Sequence, residues 1–201
     1  MAELLPELSL DLGRPFAPAS LFPTPKRALR LEIGFGGGEH LVEAATRESD
    51  IGFIGCEPFI NGVAKLLAQI ERRGLVNIRL FRGDAALALD WLPEESLDRV
   101  YLFYPDPWPK RRQRKRRFVS EENLDRLARV MRSGAELRFA TDIDDYAAWT
   151  LARLRASTRF LWTAQACSDW RTPWDGWMQT KYEGKAIAVG RPPVYLTFRR
   201  R

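Results

Sequence analysis

Apolar residues gather in short runs along the chain, and amphipathic stretches separate them. Ala28 to Ile33 is an apolar run that ends in glycines, and Ile51 to Cys56 has the continuity of a buried strand. Val76 to Phe81, Leu97 to Tyr104 and Glu136 to Ala140 predict three more strands. Helical stretches alternate with them at Glu39 to Arg47, Ile60 to Arg72 and Asp144 to Ala156. A further helix is capped by Ser120, carries Leu124, Leu127, Val130 and Met131 on one face, and is stopped by Gly134. Ala186 to Val189 and Val194 to Phe198 are the last strand candidates. Only Gly190-Arg191-Pro192-Pro193 joins them, which predicts an antiparallel hairpin at the sheet edge.

Strands alternating with helices imply βαβ units, hence an α/β fold with a mostly parallel seven-stranded sheet and helices on both faces. Residues 1–27 carry Pro6, Pro15, Pro18, Pro23 and Pro25 and predict an irregular lead-in; residues 28–201 then form a single domain. In such a sheet ligands bind beyond the carboxyl ends of the strands, so the strand ends hold the candidate chemistry.

The composition narrows the classes. No apolar run approaches the roughly 18 residues of a spanning helix. Met1-Ala-Glu-Leu-Leu-Pro lacks the basic-then-apolar order of a secretory signal. Cys56 and Cys167 form no CxxC pair, which fits a reducing, cytoplasmic setting. His40 is the one histidine, which disfavours a Ser-His-Asp triad, a histidine metal site or a histidine relay; no metal is expected. Lys and Arg total 32 against 26 Asp and Glu, and seven of the bases occupy residues 110–117. The 32 less these seven leave 25 bases against 26 acids, so the excess is one patch, which predicts a polyanionic partner.

After the first strand comes Gly34-Phe35-Gly36-Gly37-Gly38-Glu39, a glycine loop before a helix N-terminus. Glu39 stands where the dinucleotide pattern GxGxxG has its last glycine. Glu32 is placed to face a cationic group, Glu57 to chelate a ribose diol, and Asp84 to accept from an adenine amino group. Three acids without a phosphate-binding base suit S-adenosylmethionine; NAD is the rival, since Glu57 would serve it equally well. The plain alternative is a turn with acids as caps. After the fourth strand, Tyr104-Pro105-Asp106-Pro107-Trp108-Pro109 presents an acid and an aromatic on a stiff backbone and runs into the basic segment. That suits a base on a nucleic acid, with Trp108 as the leading stacking candidate among the seven tryptophans and the late Trp162, Trp170, Trp174 and Trp177 behind it.

Glu32-Ile33-Gly34-x-Gly36-x-Gly38, the Pro105-to-Lys110 loop with its basic continuation, Thr141-Asp142, and Thr180-Lys181-Tyr182-Glu183 resemble the bacterial tRNA (guanine-N7)-methyltransferase family over residues 28–198. The resemblance implies a Rossmann-like class I methyltransferase fold and transfer of a methyl group from S-adenosylmethionine to N7 of the variable-loop guanine, position 46, of tRNA. By resemblance Glu32, Gly34, Gly36, Gly38, Glu57, Asp84 and Asp106 bind the cofactor, and Asp106 is also the catalytic residue. Lys110, Arg112, Arg114, Lys115, Arg116, Arg117, Asp142, Thr180, Lys181, Tyr182 and Glu183 are the substrate positions. Gln113 stands where the family usually has histidine, and the lead-in is short. The resemblance implies no membrane and no obligate protein partner, as a monomer or homodimer. Other readings are an amino-methyltransferase acting on adenine or a protein side chain, an NAD-linked oxidoreductase, and a non-catalytic RNA-binding module.

Overall fold

The computed structural model describes residues 4–16 and 18–201, and a seven-stranded sheet of order β3-β2-β1-β4-β5-β7-β6 runs through them. β1 (Ala28–Ile33), β2 (Ile51–Cys56), β3 (Ile78–Phe81), β4 (Leu97–Phe103) and β5 (Met131–Thr141) are parallel. β7 (Val194–Arg200) lies antiparallel to β5 and to the edge strand β6 (Phe160–Trp162). The helices are α1 (Leu4–Leu8), α2 (Pro18–Leu21), α3 (Glu39–Arg47), α4 (Ile60–Arg73), α5 (Ala85–Trp91), α6 (Glu121–Val130), α7 (Asp144–Ala156), α8 (Ser168–Arg171) and α9 (Lys181–Ala188). Among the described residues no helix is long and apolar enough to cross a membrane.

Every residue of β1 and β2 is buried, because packed elements cover both faces of the sheet centre. Alternation sorts their side chains. Leu29, Leu31 and Ile33 of β1 join Val100 and Leu102 of β4 in one core. Tyr101 and Phe103 of β4 turn the other way, into a core with Phe35, Leu41, Phe53 and Leu66. Glu32 lies between Leu31 and Ile33 and therefore faces that second, aromatic side.

Three expectations need correction. Ala186 to Val189 forms no strand; Ala186 to Ala188 ends α9, a helix that Thr180 and Glu183 start with a reciprocal capping box. A short apolar run does not distinguish strand from helix, and the cap decides here. The antiparallel edge partner of β7 is instead Phe160–Trp162, a distant segment. Met131 leaves the helix face to begin β5, and Gly134, at φ 82°, lies inside that strand rather than ending α6. The lead-in, of which residues 1–3 and 17 lie outside the described residues, contains α1, and Ser9 bridges to Leu80 on the outer edge of β3.

Asn77, 3% exposed, ties this scaffold together: its amide donates to the carbonyls of Ala45 (3.0 Å), Glu48 (3.2 Å) and Ile51 (3.0 Å). Asn77→Ala leaves three carbonyls without that donor and should lower unfolding free energy by about 2–3 kcal/mol in urea titration.

Candidate active site

β1 and β4 are neighbours, but the chain leaves them toward opposite edges of the sheet, so their following loops part. A cleft of about 770 Å³ opens between them, lined by Glu32, Gly34, Gly36, Glu57, Asp84, Asp106 and Trp108 among others. The glycine loop bends through positive φ at Gly34 (71°), Gly36 (57°) and Gly38 (81°). Glu57, 5% exposed, holds it: Gly36 N–H donates to Oε2 at 2.9 Å, and Phe59 N–H to Oε1 at 3.0 Å. From α4, Gln69 donates to the Gly37 carbonyl at 2.8 Å. A Cβ on Gly62, in the first turn of α4, would run into the Gly36 carbonyl and lie 3.1 Å from Glu57 Cγ.

Glu32 has a partner inside the protein: Oε2 is 2.7 Å from His40 Nδ1. An ionised carboxylate only accepts, which sets the imidazole proton on Nδ1. The ring packs edge-on against Tyr101 and Phe103, both at 4.8 Å between centroids, and tilts against Trp177. Asp84 caps α5 by accepting from Ala86 N–H at 3.0 Å and remains exposed at the cleft. Burial pushes the Cys56 thiol, also on the cleft wall, up to about 12, so it is no nucleophile at neutral pH.

The loop after β4 is strained at both ends. Tyr104 (φ 49°) and Trp108 (φ 42°) hold left-handed backbone without being glycine, at about 1–3 kcal/mol each. Between them Asp106 is exposed at the cleft mouth. Residues Arg111–Arg116 then form a 3₁₀ helix, and the Arg116 guanidinium lies 4.8 Å over the Trp108 ring.

Lys110, Arg112 and Lys115 are exposed, as phosphate ligands must be. Arg117 is not: it is 2% exposed and ion-paired with Asp145, and so stands as a correction to the substrate positions. Arg114 also pairs with Asp145, at 2.8 Å. Asp142 pairs with Arg191 at 2.9 Å. Thr180, Lys181 and Tyr182 do line the cleft, at the N-terminus of α9. Glu183 is buried beneath them, accepting from Trp177 Nε1 (2.6 Å), Thr180 N–H (3.2 Å) and the Tyr195 hydroxyl. Its carboxylate holds α9 in place instead of facing the cleft. Tyr104, beside this group, has a buried hydroxyl; burial first, then the Glu183 charge, raise its phenol above the ordinary range.

The structure thus gathers Glu32, Gly34, Gly36, Glu57, Asp84, Asp106, Arg116, Thr180, Lys181 and Tyr182 around one cleft; Gly38 backs it and Asp142 stands at the end of β5. Sequence reasoning read His40 only as an argument against histidine chemistry, and it passed over Gly62. A glycine inside a helical pattern was the available signal for Gly62. Trp174 and Trp177, both half-buried, pack with Phe103 and Tyr195 and do not line the cleft. Among the described residues no group of three or more His, Cys, Asp or Glu is placed to hold a metal ion.

This fold and cleft are those of a methyltransferase. The model of a family described as putative methyltransferase matches residues 26–196. Solved structures agree in fold: the 16S rRNA methyltransferase KamB (TM-score 0.60, 15% identity, 88% of this chain and 89% of that one). Another is SMU.1697c of Streptococcus mutans, a putative methyltransferase in complex with SAH (TM-score 0.58, 9% identity, 88% and 90%). Much nearer in sequence is the tRNA (guanine-N(7)-)-methyltransferase of Chelativorans sp. (strain BNC1), 55% identical over 98% of this chain and 85% of that protein. The protein of the same name from Rhizobium meliloti (strain 1021) is 54% identical over 100% and 87%. The chain belongs to the tRNA (guanine-N(7)-)-methyltransferase family.

Gly62→Ala should push against the Gly36 carbonyl, draw the Gly36 N–H off Glu57 and weaken S-adenosylhomocysteine binding roughly tenfold or more in isothermal titration, the scale of one hydrogen bond to a charged group.

Proposed function

We propose that the protein methylates N7 of the variable-loop guanine at position 46 of tRNA, with S-adenosylmethionine as donor. The observation that carries this reading is the Asp106–Trp108 loop with its basic 3₁₀ helix at the mouth of the cleft that Glu57 and the glycine loop build. The cleft suits the cofactor on its own terms: it has room, two carboxylates at strand ends, and a loop whose backbone Gly62 allows to approach closely. Glu57 retains acceptor capacity for a ribose diol, since each oxygen takes only one backbone N–H. Asp84 accepts from the adenine amine, and the Glu32–His40 pair borders the site on the β1 side.

When bound, S-adenosylmethionine supplies a methyl group on a sulfonium. Guanine N7 carries an in-plane lone pair, so its attack requires no base, and the absence of an imidazole at Gln113 is no obstacle. The protein must align the two partners and stabilise the charge that moves onto the guanine ring. Asp106 does this from beside the N7 edge, where its carboxylate faces positive charge without opposing N7 and O6. Lys110 or Arg116 donates to O6, and Asp142 accepts from N1–H and the exocyclic amine, a pattern adenine lacks. Arg112 and Lys115 contact phosphates, while Lys181 and Tyr182 border the base from α9.

Methyl transfer to unmodified tRNA, followed by nuclease mapping, tests the reading; label at any base other than that guanine overturns it. Asp106→Asn keeps the shape but removes the charge, and should cost on the order of 10²–10³ in kcat. Replacing Arg112 and Lys115 with Ala should raise KM for tRNA and flatten the salt dependence of binding by up to about two units of slope, ~0.9 for each phosphate contact. Cofactor affinity should stay unchanged.

A further inference from the structure

Arg117 is the last of the seven clustered bases, and its side chain is entirely enclosed. A buried guanidinium requires partners for its charge and its N–H groups. Nε–H donates to the Pro107 carbonyl at 2.7 Å, and a terminal N–H group donates to the Asp145 carboxylate. The flat faces are covered as well, with Tyr146 at 4.8 Å and Trp149 at 4.9 Å from ring centroid to guanidinium carbon. Trp149 is itself fixed, donating from Nε1 to the Val119 carbonyl at 2.8 Å. A planar, forked cation fits this slot; an ammonium would reach only part of it.

The acceptor of the Nε–H bond is the informative part. Pro107 lies between Asp106 and Trp108, and its carbonyl belongs to the peptide that enters Trp108, the residue with φ 42°. Left-handed backbone at a tryptophan persists only where the surroundings dictate it. Prolines on both sides restrict the loop but do not select this conformation. The bond from Arg117 sets the orientation of that one peptide, and with it the directions in which Asp106 and Trp108 leave the backbone. Asp145 secures the arrangement from α7, pairing with Arg117 and with Arg114, and the Arg117 guanidinium holds the Asp145 carboxyl below the usual carboxylate range. The clamp is therefore intact at neutral pH and is lost in acid as Asp145 becomes protonated.

We infer that Arg117, braced by Asp145, is a positioning residue for methyl transfer: it fixes the Pro107–Trp108 peptide so that Asp106 faces the reacting atoms. The inference rests on the role proposed for Asp106. The test compares Arg117→Lys, Asp106→Asn and the double variant at saturating unmodified tRNA, with S-adenosylhomocysteine titration and the salt slope of tRNA binding measured alongside. Arg117→Lys should lower kcat tenfold or more, with the dissociation constant for S-adenosylhomocysteine within twofold and the salt slope unchanged. In the Asp106→Asn background the same change should cost nothing further, because both act through one group. Asp145→Asn, altering a half-exposed partner, should reproduce the loss in milder form and carries the test if Arg117→Lys does not fold. A preserved kcat with raised KM and a flatter slope would make Arg117 a phosphate ligand and overturn the inference. So would losses that add fully in the double variant. Wild-type turnover in Asp106→Asn overturns the Asp106 role and the clamp with it; a slow Asp106→Asn beside a normal Arg117→Lys overturns the clamp alone.

Discussion

Glu57 directs its two carboxylate oxygens to backbone N–H groups of different segments, Gly36 after β1 and Phe59 before α4. These segments are far apart in sequence and meet only because β1 and β2 are paired, with Ile33 opposite Cys56 at their ends. The approach is so close that α4 has no room for a side chain at position 62. The shape of the cleft thus depends on one buried acid and one missing methyl group. A nearly rigid floor follows, over which the loop after β4 can be aimed.

The aromatic side of the sheet links that floor to the far end of the chain. Glu32 touches His40, His40 packs against Phe103 and Trp177, and Trp177 donates to Glu183 beneath α9. Every step is a packed ring or a hydrogen bond, in a region where an unpaired polar group would be costly. Residues from β1, α3, β4 and the C-terminal segment are joined by this side of the core, which accounts for Trp174 and Trp177 without assigning them to RNA.

The five parallel strands and the acids at their ends were legible because continuous apolar runs and strand-end position are local properties of the sequence. β6 was not: Phe160–Trp162 is three residues long and becomes a strand only by pairing with β7. The Ala186-to-Val189 run was misjudged because the capping box at Thr180 and Glu183 outweighs it. At the site, type and position revealed Glu57, Asp84 and Asp106, whereas the basic run concealed a division of labour. Nothing local distinguishes Arg117 from Lys115; burial beside Tyr146 and Trp149 does, and that arises from the packing of α7.

The 3₁₀ geometry of residues Arg111–Arg116 carries one more consequence. With three residues per turn, side chains three apart eclipse each other, so the basic segment sorts into three straight rows rather than the spiral an α-helix would give. Arg111, Arg114 and Arg117 form a row whose exposure falls stepwise toward the interior. Gln113 shares a row with Arg116, which reaches the cleft and covers Trp108, while Arg112 and Lys115 make up the third, facing solvent. Charge alone would tolerate any order of lysines and arginines here. Threefold phase does not: inserting a single residue would rotate every later base by a third of a turn, turning Arg117 out of its slot and taking Arg116 away from Trp108 into the row that slot belongs to. Length in this segment is therefore under tighter restraint than composition.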